Sequence, residues 1–476
     1  MRFKNLNIFL GMLFLFPGLS LRAGNLNPTY QVKNGKPVSV MLTCYTTTLL
    51  ANGQDHTRVR LAVRDSAGRE ITSAMDSIRL YVDGDATITN PEGKPVKVLS
   101  DAKGKNYYAC KLKNGIENLI FVAGTKPDHI KVTAKSGKLW EGNSTIFTLP
   151  ADFHMMKPKP GELQPTTVKI DKIIGADISW LPQLEARGIK FYENGKPIDA
   201  VKLLKEHGMN YIRLRIFVNP SNPKGYSPDK GFCDLQHTLA MAKRIKDAGM
   251  KLLLDFHYSD YWADPQQQNI PLAWKNLDFT ALKDSVQTYT TNVLLALKHQ
   301  GTLPIMVQIG NEINHGMLWP DGSIDHPDQL ASLLKAAYQS VKEVNPKIVV
   351  MIHLALGGQN QEARFWLNNM IARGVKFDVI GLSYYPQWHG TPDDLKTNLD
   401  DLLKLYHKPL IVAEYSEYKK LVNDIIFGLP DNMGKGSFIW EPLNARSGLF
   451  EMKGKDLNVL PLMSVYDQLS KKYLKH

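Results

Sequence analysis

Residues 198–216 read IDAVKLLKEHGMNYIRLRI, and this stretch contains the repeating unit of the fold. Ile198–His207 has the amphipathic spacing of a helix, and Gly208 is a residue typical of helix ends. Tyr211–Ile216 is an apolar run that indicates a buried strand. The same order of helix, Gly or Pro, and strand recurs from about residue 168 onward, so the chain beyond this point alternates helices and strands.

Eight strand candidates follow this rule: Ile173–Ile178, Tyr211–Ile216, Leu252–Phe256, Ile305–Ile309, Ile348–Ile352, Val379–Leu382, Leu410–Ala413 and Phe438–Trp440. Their near-continuous Val, Ile and Leu runs are typical of parallel strands that are buried on both faces. Eight such units predict an α/β fold, a (β/α)₈ barrel over residues 168–476. The alternative is a doubly wound open sheet, but no G-x-G-x-x-G motif follows the first strand to support it.

Residues 24–150 have a different pattern, in which short strands alternate with turns. Apolar residues alternate in Val59–Val63, and the turn-like Asp65–Gly68 follows. About seven such strands predict a small all-β immunoglobulin-like sandwich. The stretch Leu50–Glu70 resembles the immunoglobulin-like modules of secreted bacterial carbohydrate enzymes. Since no set of titratable residues marks it as catalytic, we expect a spacer or packing module, with sugar binding as the alternative.

The segment between these two units predicts an extended linker over residues 151–167. Lys157–Pro165 contains three prolines in nine residues, and proline-rich segments are stiff and extended. We therefore expect the sandwich to be held at a distance from the barrel, which should then work without it.

The N-terminus predicts export. Arg2 and Lys4 precede the apolar run Ile8–Phe16, which is too short to span a bilayer and is typical of a signal peptide, assigned to residues 1–23. A short membrane anchor is the alternative. We expect a periplasmic, cell-surface or secreted protein with no transmembrane segment in its mature form.

Composition excludes several classes of protein. The chain has 476 residues, of which 43% are hydrophobic and 22% charged, and this excludes a disordered or polytopic membrane protein. The formal charge of +12 is scattered along the sequence, so no nucleic-acid partner is expected. Because export permits disulfides, Cys44 and Cys110 could pair, whereas Cys233 is expected to be a buried free thiol.

Polar residues stand at the ends of all eight predicted barrel strands, where barrels of this kind carry their chemistry. They are Asp177, Arg213, Arg215, Asp255, His257, Asn311, Glu312, His353, Tyr384, Tyr385, Glu414, Trp440 and Glu441. Glu312 and Glu414 end the fourth and seventh strands, so we expect them across one barrel mouth. Glycoside cleavage needs such a pair, one carboxylic acid for the leaving oxygen and one carboxylate facing the anomeric carbon. The alternative is one catalytic and one structural carboxylate.

Neighbouring residues could support this pair. Asn311 could hydrogen-bond the 2-hydroxyl of the sugar, an arginine of the second strand could keep Glu414 ionised, and Tyr384 or Tyr385 could orient it. Aromatic residues that could stack on sugar rings follow the strand ends: Tyr258, Tyr261, Trp262, Trp319, Trp388 and Trp440.

Eight stretches of the barrel match the sequence pattern of a known family: Gly175–Ser179, Arg213–Pro220, Asp255–Pro265, Gly310–Glu312, Leu318–Pro320, Gly381–Pro386, Ala413–Glu414 and Trp440–Pro442. Through these stretches, most of the barrel resembles the family 53 glycoside hydrolases, the endo-β-1,4-galactanases. It implies a retaining mechanism with Glu312 as acid/base and Glu414 as nucleophile, and with Arg213, His257, Asn311 and Trp440 shaping the site. Together with the strand-end and aromatic residues, the candidate substrate-binding set is Asp177, Arg213, His257, Trp262, Asn311, His353, Tyr385, Trp388 and Trp440.

The resemblance also implies partners and cofactors. The expected partner is β-1,4-galactan, as found in pectin side chains, and the enzyme is expected to be a monomer. Some members bind calcium, but Asn444–Asp456 offers few carboxylates, so no metal or other cofactor is assigned. Departures from the family pattern at Tyr261, Gln387, Leu443 and Leu354–Gly358 leave the distal subsites open. The alternatives are a barrel glycosidase for another neutral β-glycan, such as mannan, and a non-catalytic glycan-binding protein.

Overall fold

The structure is a computed structural model that describes residues 30–159 and 161–474. The signal peptide predicted for residues 1–23 lies outside these residues. An all-β unit comes first, and its last strand ends at Leu149. The first strand of the following barrel begins at Ile173. Within the described residues, no helix combines the length and the apolar character that crossing a bilayer requires.

The all-β unit is a sandwich of two six-stranded sheets, as the sequence predicts. Its strands are β1 (Gln31–Val32), β2 (Ser39–Cys44), β3 (Thr48–Leu50), β4 (His56–Arg64), β5 (Glu70–Ile71), β6 (Ser77–Asp83), β7 (Ala86–Thr89), β8 (Val98–Ser100), β9 (Asn106–Lys111), β10 (Ile116–Ala123), β11 (Asp128–Lys135) and β12 (Gly142–Leu149). One sheet has the order β1-β5-β4-β10-β7, with β2 also paired to β4, and the other has the order β3-β12-β11-β6-β9-β8. The extra strands beyond the seven expected are short ones, such as β1 and β5, which are too brief to show an alternating pattern.

The three cysteines are free and buried, so Cys44 and Cys110, for which the sequence left pairing open, are not joined, and the free thiol at Cys233 is confirmed. Cys44 ends β2 beside Ser144, and Ser144 is aligned through β11 with Val82 on β6. Cys110 is paired instead with Ile78 of β6. Four residues of strand separate these two rows, which is about 13 Å and too far for a disulfide.

The second unit is a closed barrel of eight parallel strands, which excludes the open sheet. Its strands, with four short additional ones, are β13 (Ile173–Asp177), β14 (Phe191–Glu193), β15 (Lys196–Ile198), β16 (Tyr211–Ile216), β17 (Lys251–Phe256), β18 (Met306–Ile309), β19 (Val349–Leu354), β20 (Val379–Tyr384), β21 (Leu410–Tyr415), β22 (Gly434–Trp440), β23 (Phe450–Lys453) and β24 (Asp456–Val459). The barrel order is β13-β16-β17-β18-β19-β20-β21-β22. Each of the eight predicted strands is therefore confirmed to within a few residues.

Helices cover the outside of the barrel. They are α1 (Leu181–Ala186), α2 (Ala200–Glu206), α3 (Leu235–Asp247), α4 (Phe279–His299), α5 (Pro327–Val344), α6 (Asn360–Ala372), α7 (Pro386–His389), α8 (Pro392–Tyr406), α9 (Lys419–Phe427) and α10 (Ser464–Tyr473), with short 3₁₀ helices at Leu272–Trp274, Ile313–His315, Pro430–Asn432, Ala445–Ser447 and Pro461–Met463. Helix α2 begins two residues later than predicted, because the Asp199 side chain caps it by accepting from the Lys202 N–H.

Two layers of side chains fill the barrel interior. Apolar residues, mostly from the N-terminal halves of the strands, form one cluster: Ile173, Tyr211, Leu253, Met306, Val349, Met351, Val379, Ile411, Ala413 and Phe438. This layer is tight, since a Cβ on Gly175 would lie 2.3 Å from the Phe438 ring. The C-terminal halves carry buried polar residues instead, among them Arg213, Gln308 and Glu414. The apolar layer thus closes the base of a polar mouth.

The sandwich is docked on the barrel, so the expected separation is wrong. Phe147 of β12 is 1% exposed and stacks on His315 with the ring centroids 3.9 Å apart. Arg64 of β4 forms an ion pair with Glu417 at 3.0 Å, just beyond β21. The linker also follows the barrel, because the Met156 N–H donates to Asn369. A proline-rich composition determines the stiffness of a linker and not the surface along which it runs.

Candidate active site

Glu312 and Glu414 lie close together at the barrel mouth, and Ser383 contacts the one and is paired with the other. Ser383 on β20 is the register partner of Glu414 on β21, and its hydroxyl donates to Oε1 of Glu312 at 2.6 Å. Two residues that are far apart in sequence therefore face the same space. Glu312 has φ = 50°, in the left-handed region that costs about 1 kcal/mol for a residue with a side chain. Strained backbone of this kind clusters at functional sites.

Arg213 on β16 joins Glu414 to two further carboxylates below the mouth. Its guanidinium forms ion pairs with Asp177 at 2.7 Å, with Asp255 at 2.8 Å and with Glu414 at 2.9 Å. Arg213 is buried, so water screens these charges weakly. The arginine of the second strand thus lies against Glu414, where it favours the ionised carboxylate.

The two glutamates hold their protons differently. Burial raises the pKa of Glu312 well above its usual range, and the charge of Glu414 raises it further. Burial also raises the pKa of Glu414, to about 7, while Arg213 opposes this effect. Ion-pair contact with Arg213 is found at Glu414 and not at Glu312 within the described residues. Glu414 therefore ionises first, and Glu312 keeps its proton.

Tyr385 orients Glu414, whereas Tyr384 does not. The Tyr385 hydroxyl donates to Oε2 of Glu414 at 2.9 Å. The Tyr384 hydroxyl donates instead to the Gly390 carbonyl at 3.2 Å. Neighbouring side chains point to opposite sides of an extended backbone, so only one tyrosine of the pair can reach the mouth.

His257 and Asn311 form the wall next to Arg213. The Nδ1 atom of His257 accepts from the Ala263 N–H at 3.1 Å, so Nε2 carries the hydrogen, and it lies 3.0 Å from Asp255. Oδ1 of Asn311 accepts from Arg213 at 2.9 Å, and its amide donates to the Ala263 carbonyl at 2.8 Å. Both side chains are thus fixed before any substrate binds.

His353 lies behind the site and does not line the cleft. It is 0% exposed, with Nε2 2.8 Å from the Ser383 hydroxyl and Nδ1 3.0 Å from Asn311. Both ring nitrogens are engaged within the protein, so the expectation that His353 binds substrate is wrong. Sequence position alone places it at a strand end but does not show which partners surround it.

Aromatic side chains gather on one side of the mouth. Trp440 lies 5.1 Å from Trp180 and 6.4 Å from Trp262, measured between ring centroids. Trp388 lies on α7, 5.8 Å from the ring of Tyr385, whose hydroxyl contacts Glu414. Tyr258 differs from these residues, because it is 1% exposed and belongs to the core.

A second buried ion pair supports this aromatic group. Arg215 on β16 forms an ion pair with Glu441 at 2.6 Å, and its guanidinium lies 4.3 Å from the Trp262 ring centroid. The Trp180 N–H donates to Glu441 at 3.0 Å. The arginine therefore holds Trp262 by a cation–π contact and is itself held by a carboxylate.

Sequence reasoning missed three of these residues. Trp180 stands three residues beyond the end of β13, the same position that identified the other aromatics, so this signal was available. Ser383 and Gln308 lie inside strands, where a polar residue shows its direction only when the strand register is known. Among the residues that the structure describes, no group of three or more His, Cys, Asp or Glu side chains is arranged to hold a metal ion.

The chain is similar in sequence to known carbohydrate-active proteins. Residues 40–145 match the family model described as Glycoside hydrolase family 2 C-terminal domain 5. An uncharacterised protein of Niallia circulans is 39% identical over 312 residues, which cover 57% of this chain and 83% of that protein. The endo-β-1,4-galactanase of Bacillus subtilis is 38% identical over 247 residues, which cover 52% of this chain and 57% of that protein.

A solved structure agrees with the barrel. The catalytic domain from Ignisphaera aggregans is 34% identical with a TM-score of 0.57, and the match covers 65% of this chain and all but 2% of that domain (98%). The family model of glycosyl hydrolase family 53 matches residues 173–426, more than half of the chain and most of the barrel. With its paired glutamates at the ends of the fourth and seventh barrel strands, the chain belongs to this family of glycoside hydrolases.

Proposed function

We propose that this chain is a retaining endo-glycosidase that cleaves internal β-1,4 bonds of galactan. The observation that carries the proposal is the unequal pair: Glu414 lies in contact with Arg213 and Tyr385, and Glu312 has the higher pKa. One group is thereby prepared as a nucleophile and the other as an acid. Relatives that carry galactanase names support galactan as the substrate.

In the first step, Glu414 attacks the anomeric carbon while the bond to the leaving oxygen breaks. Glu312 gives its proton to that oxygen, so the departing sugar leaves as an alcohol. Arg213 pairs with Oε1 of Glu414 and the Tyr385 hydroxyl donates to Oε2, so the two contacts hold the nucleophile in place. The product of this step is a covalent glycosyl-enzyme with Glu312 as a carboxylate.

In the second step, Glu312 takes a proton from water and the water oxygen attacks the anomeric carbon. The bond to Glu414 breaks, and Glu414 returns to its carboxylate form beside Arg213. Two inversions at one carbon retain its configuration. Asn311 carries a second amide hydrogen that can donate to the 2-hydroxyl of the sugar, and the Trp440 ring offers an apolar face to the sugar.

Digestion of linear β-1,4-galactan tests the substrate. We expect a series of oligosaccharides of decreasing length, and NMR during the first minutes should show the β-anomer at the new reducing end. Mannan, xylan and cellulose serve as controls. Faster cleavage of one of these glycans would replace galactan as the substrate, and release of galactose alone would contradict an internal mode of cleavage.

We further propose that the protein is exported and acts as a monomer. The apolar run Ile8–Phe16 after two basic residues supports export. N-terminal sequencing of the protein from cell envelopes or medium should find the chain to begin near Gly24. Light scattering should give a mass close to that of one chain.

A further inference from the structure

Three buried side chains form a hydrogen-bonded chain that ends on Glu312. The Ser383 hydroxyl lies 2.6 Å from Oε1 of Glu312, and Nε2 of His353 lies 2.8 Å from that hydroxyl. Nε2 of Gln308 lies 3.0 Å from Nδ1 of His353. Gln308, His353 and Ser383 are each 0% exposed. The cleavage mechanism does not use them directly, although they lead to its acid/base.

Gln308 is held so that it can only donate to His353. Its Oε1 accepts two N–H bonds from Arg213, at 3.1 and 3.2 Å. Its amide nitrogen therefore faces the other way and donates to Asp255 at 2.5 Å. An amide nitrogen has two hydrogens and accepts no hydrogen bond. The second hydrogen therefore faces Nδ1 of His353 at 3.0 Å, with the Gly310 carbonyl and Oδ1 of Asn311 as competing acceptors at 3.1 Å, and Nδ1 can only accept from this nitrogen.

His353 is a neutral ring in this position. Burial lowers its pKa well below the usual range, and the charge of Arg213 adds to that effect. The ionisable groups that face it are Arg213, Asp255, His257 and His389, with Glu312 beyond Ser383. A neutral imidazole has one N–H and one lone pair, so a ring that accepts a hydrogen bond at Nδ1 must donate one at Nε2.

The other tautomer is the rival arrangement. Oδ1 of Asn311 also lies 3.0 Å from Nδ1, and it would accept if that nitrogen carried the hydrogen. Ser383 would then have to give its single hydrogen to His353. The Gln308 amide nitrogen lies equally close to Nδ1, at 3.0 Å, and cannot accept a hydrogen bond, which favours a bare Nδ1 and hydrogen on Nε2.

We propose that His353, with its hydrogen on Nε2, is a positioning residue that makes Ser383 a permanent donor to Oε1 of Glu312, so that the catalytic proton is carried on Oε2. Gln308 donates to Nδ1 of His353, and Nε2 of His353 donates to the Ser383 hydroxyl. Ser383 therefore donates its own hydrogen to Glu312. Within the described residues, Ser383 is the hydrogen-bond donor to the Glu312 carboxyl. The second oxygen stays free for the leaving group.

This inference rests on the proposed role of Glu312 as acid/base. The same bond serves both steps, because it fixes the carboxyl while the acid gives up its proton and then stabilises the carboxylate that acts on water. Ser383 lowers the pKa of Glu312 against burial and the nearby charges. The ionisable groups that face Glu312 are Glu414, Asp264, Arg213 and Tyr385.

The tautomer can be read directly in the full-length enzyme without any substrate. We expect ¹⁵N NMR of histidine-labelled protein, assigned with a His353→Phe sample, to show hydrogen on Nε2 and a bare Nδ1. The signal should not titrate near pH 6.5, where an unperturbed imidazole does. Hydrogen on Nδ1 would overturn the proposal, and this reading stands whatever the substrate of the enzyme proves to be.

Removing the serine tests the consequence for Glu312. Ser383→Ala should move the basic limb of the kcat/KM profile up by about one pH unit, because the carboxylate loses a donor. It should also slow, by about tenfold, the second step on an activated aryl β-galactoside. Ser340→Ala is the matched control, since Ser340 is equally buried but bonds only backbone carbonyls of its own and a neighbouring helix.

A double mutant separates positioning from general packing. His353→Phe should move the basic limb in the same direction as Ser383→Ala but by less, since Ser383 can still reach Glu312. In the Ser383→Ala background, His353→Phe should move it no further, because its effect passes through that hydroxyl. Additive shifts, or an unchanged limb in Ser383→Ala, would overturn the proposal.

Discussion

Two buried carboxyl sites on the same face of the barrel differ in how their oxygen atoms are filled. Glu362 on α6 lies where the sandwich meets the barrel and is 0% exposed. It accepts from the Thr47 N–H at 2.5 Å and from the Thr47 and Thr48 hydroxyls at 2.7 and 3.0 Å. The sandwich thus supplies the donors that water would otherwise give to this carboxylate.

The glutamates at the mouth have fewer donors and more competing charge. Among the residues that the structure describes, Ser383 alone donates to Glu312, and Glu414 shares Arg213 with Asp177 and Asp255. A buried carboxylate whose oxygens all accept hydrogen bonds from fixed donors therefore contributes to stability. A buried carboxylate that keeps one oxygen without a donor, or that has unequal charges around it, is available for chemistry.

The largest effect should follow loss of the nucleophile. Glu414→Ala should lower kcat on galactan by about 10⁴-fold or more, since no covalent intermediate can form. Removing a charge that Asp177 and Asp255 repel should leave the Tm unchanged or higher. Activity is measured as released reducing ends, and stability by calorimetry.

Azide sharpens the assignment of Glu414. In Glu414→Ala, azide can enter the vacated space and should restore cleavage with inverted configuration of the product. Restored activity with retention would show that Glu414 is not the nucleophile. The proposed distinction between the structural Glu362 and the catalytic Glu414 would then fail.

Loss of the acid should have a smaller and substrate-dependent effect. Glu312→Ala should lower activity on galactan by about 10²–10⁴-fold, because the leaving sugar needs a proton. An activated aryl β-galactoside should still form the glycosyl-enzyme at nearly the normal rate, because its leaving group needs none. A burst of phenol in stopped-flow measurements would show this.

The pH profile of Glu312→Ala tests which glutamate controls each limb of the activity profile. In the wild type, activity should rise as Glu414 loses its proton and fall as Glu312 loses its own at higher pH, because the pKa of Glu312 is the higher. On the aryl substrate, Glu312→Ala should lose the upper limb and keep the lower one. Loss of the lower limb instead would reverse the two roles.

The sequence predicts the barrel and its glutamates for one physical reason. Strands buried on both faces read as apolar runs, such as Leu252–Phe256, whatever lies between them. The carboxyl ends of parallel strands share one face, so Glu312 and Glu414 can be placed together without knowing any side-chain contact. Distance along the chain does not weaken this inference.

Register and docking could not be predicted in the same way. A shift in pairing between Leu382 and Ser383 aligns Ser383 with Glu414, and no local pattern shows such a shift. The docking face is also hidden, because Phe147 lies in a stretch where apolar residues fit a sandwich core equally well. Its real neighbours come from a part of the chain 168 residues further on, at His315.

A core-sized substitution in the docking face should affect the mouth indirectly. Phe147 stacks on His315, in the 3₁₀ helix that begins directly after Glu312. Phe147→Ala should lower stability by about 3 kcal/mol and let that loop move. We expect kcat to fall by about tenfold on galactan and on the aryl substrate alike, since the second step needs a well-placed base with either substrate.

Phe121→Ala is the matched control for this loss, because Phe121 is 0% exposed inside the sandwich core. It should destabilise the sandwich and leave kcat unchanged at temperatures where the protein is folded. If Phe147→Ala also left kcat unchanged, the sandwich would be a spacer after all, and a barrel beginning near Gln164 should then be fully active.

The smallest effect on catalysis should come from the other buried glutamate. In Glu362→Gln, the amide group would face the Thr47 and Thr48 donors with hydrogens of its own, and at least one buried donor would lose its acceptor. We expect a loss of about 2 kcal/mol in stability and a Tm lower by a few degrees. The kcat on galactan should change less than about twofold, because Glu362 has no open oxygen toward the mouth. Glu414→Gln provides the opposite pattern, with activity lost and Tm kept, measured on the same instrument and at the same pH. If Glu362→Gln instead kept its Tm and lost its activity, then a filled set of donors would not mark a structural carboxylate, and the distinction between the two sites would fail.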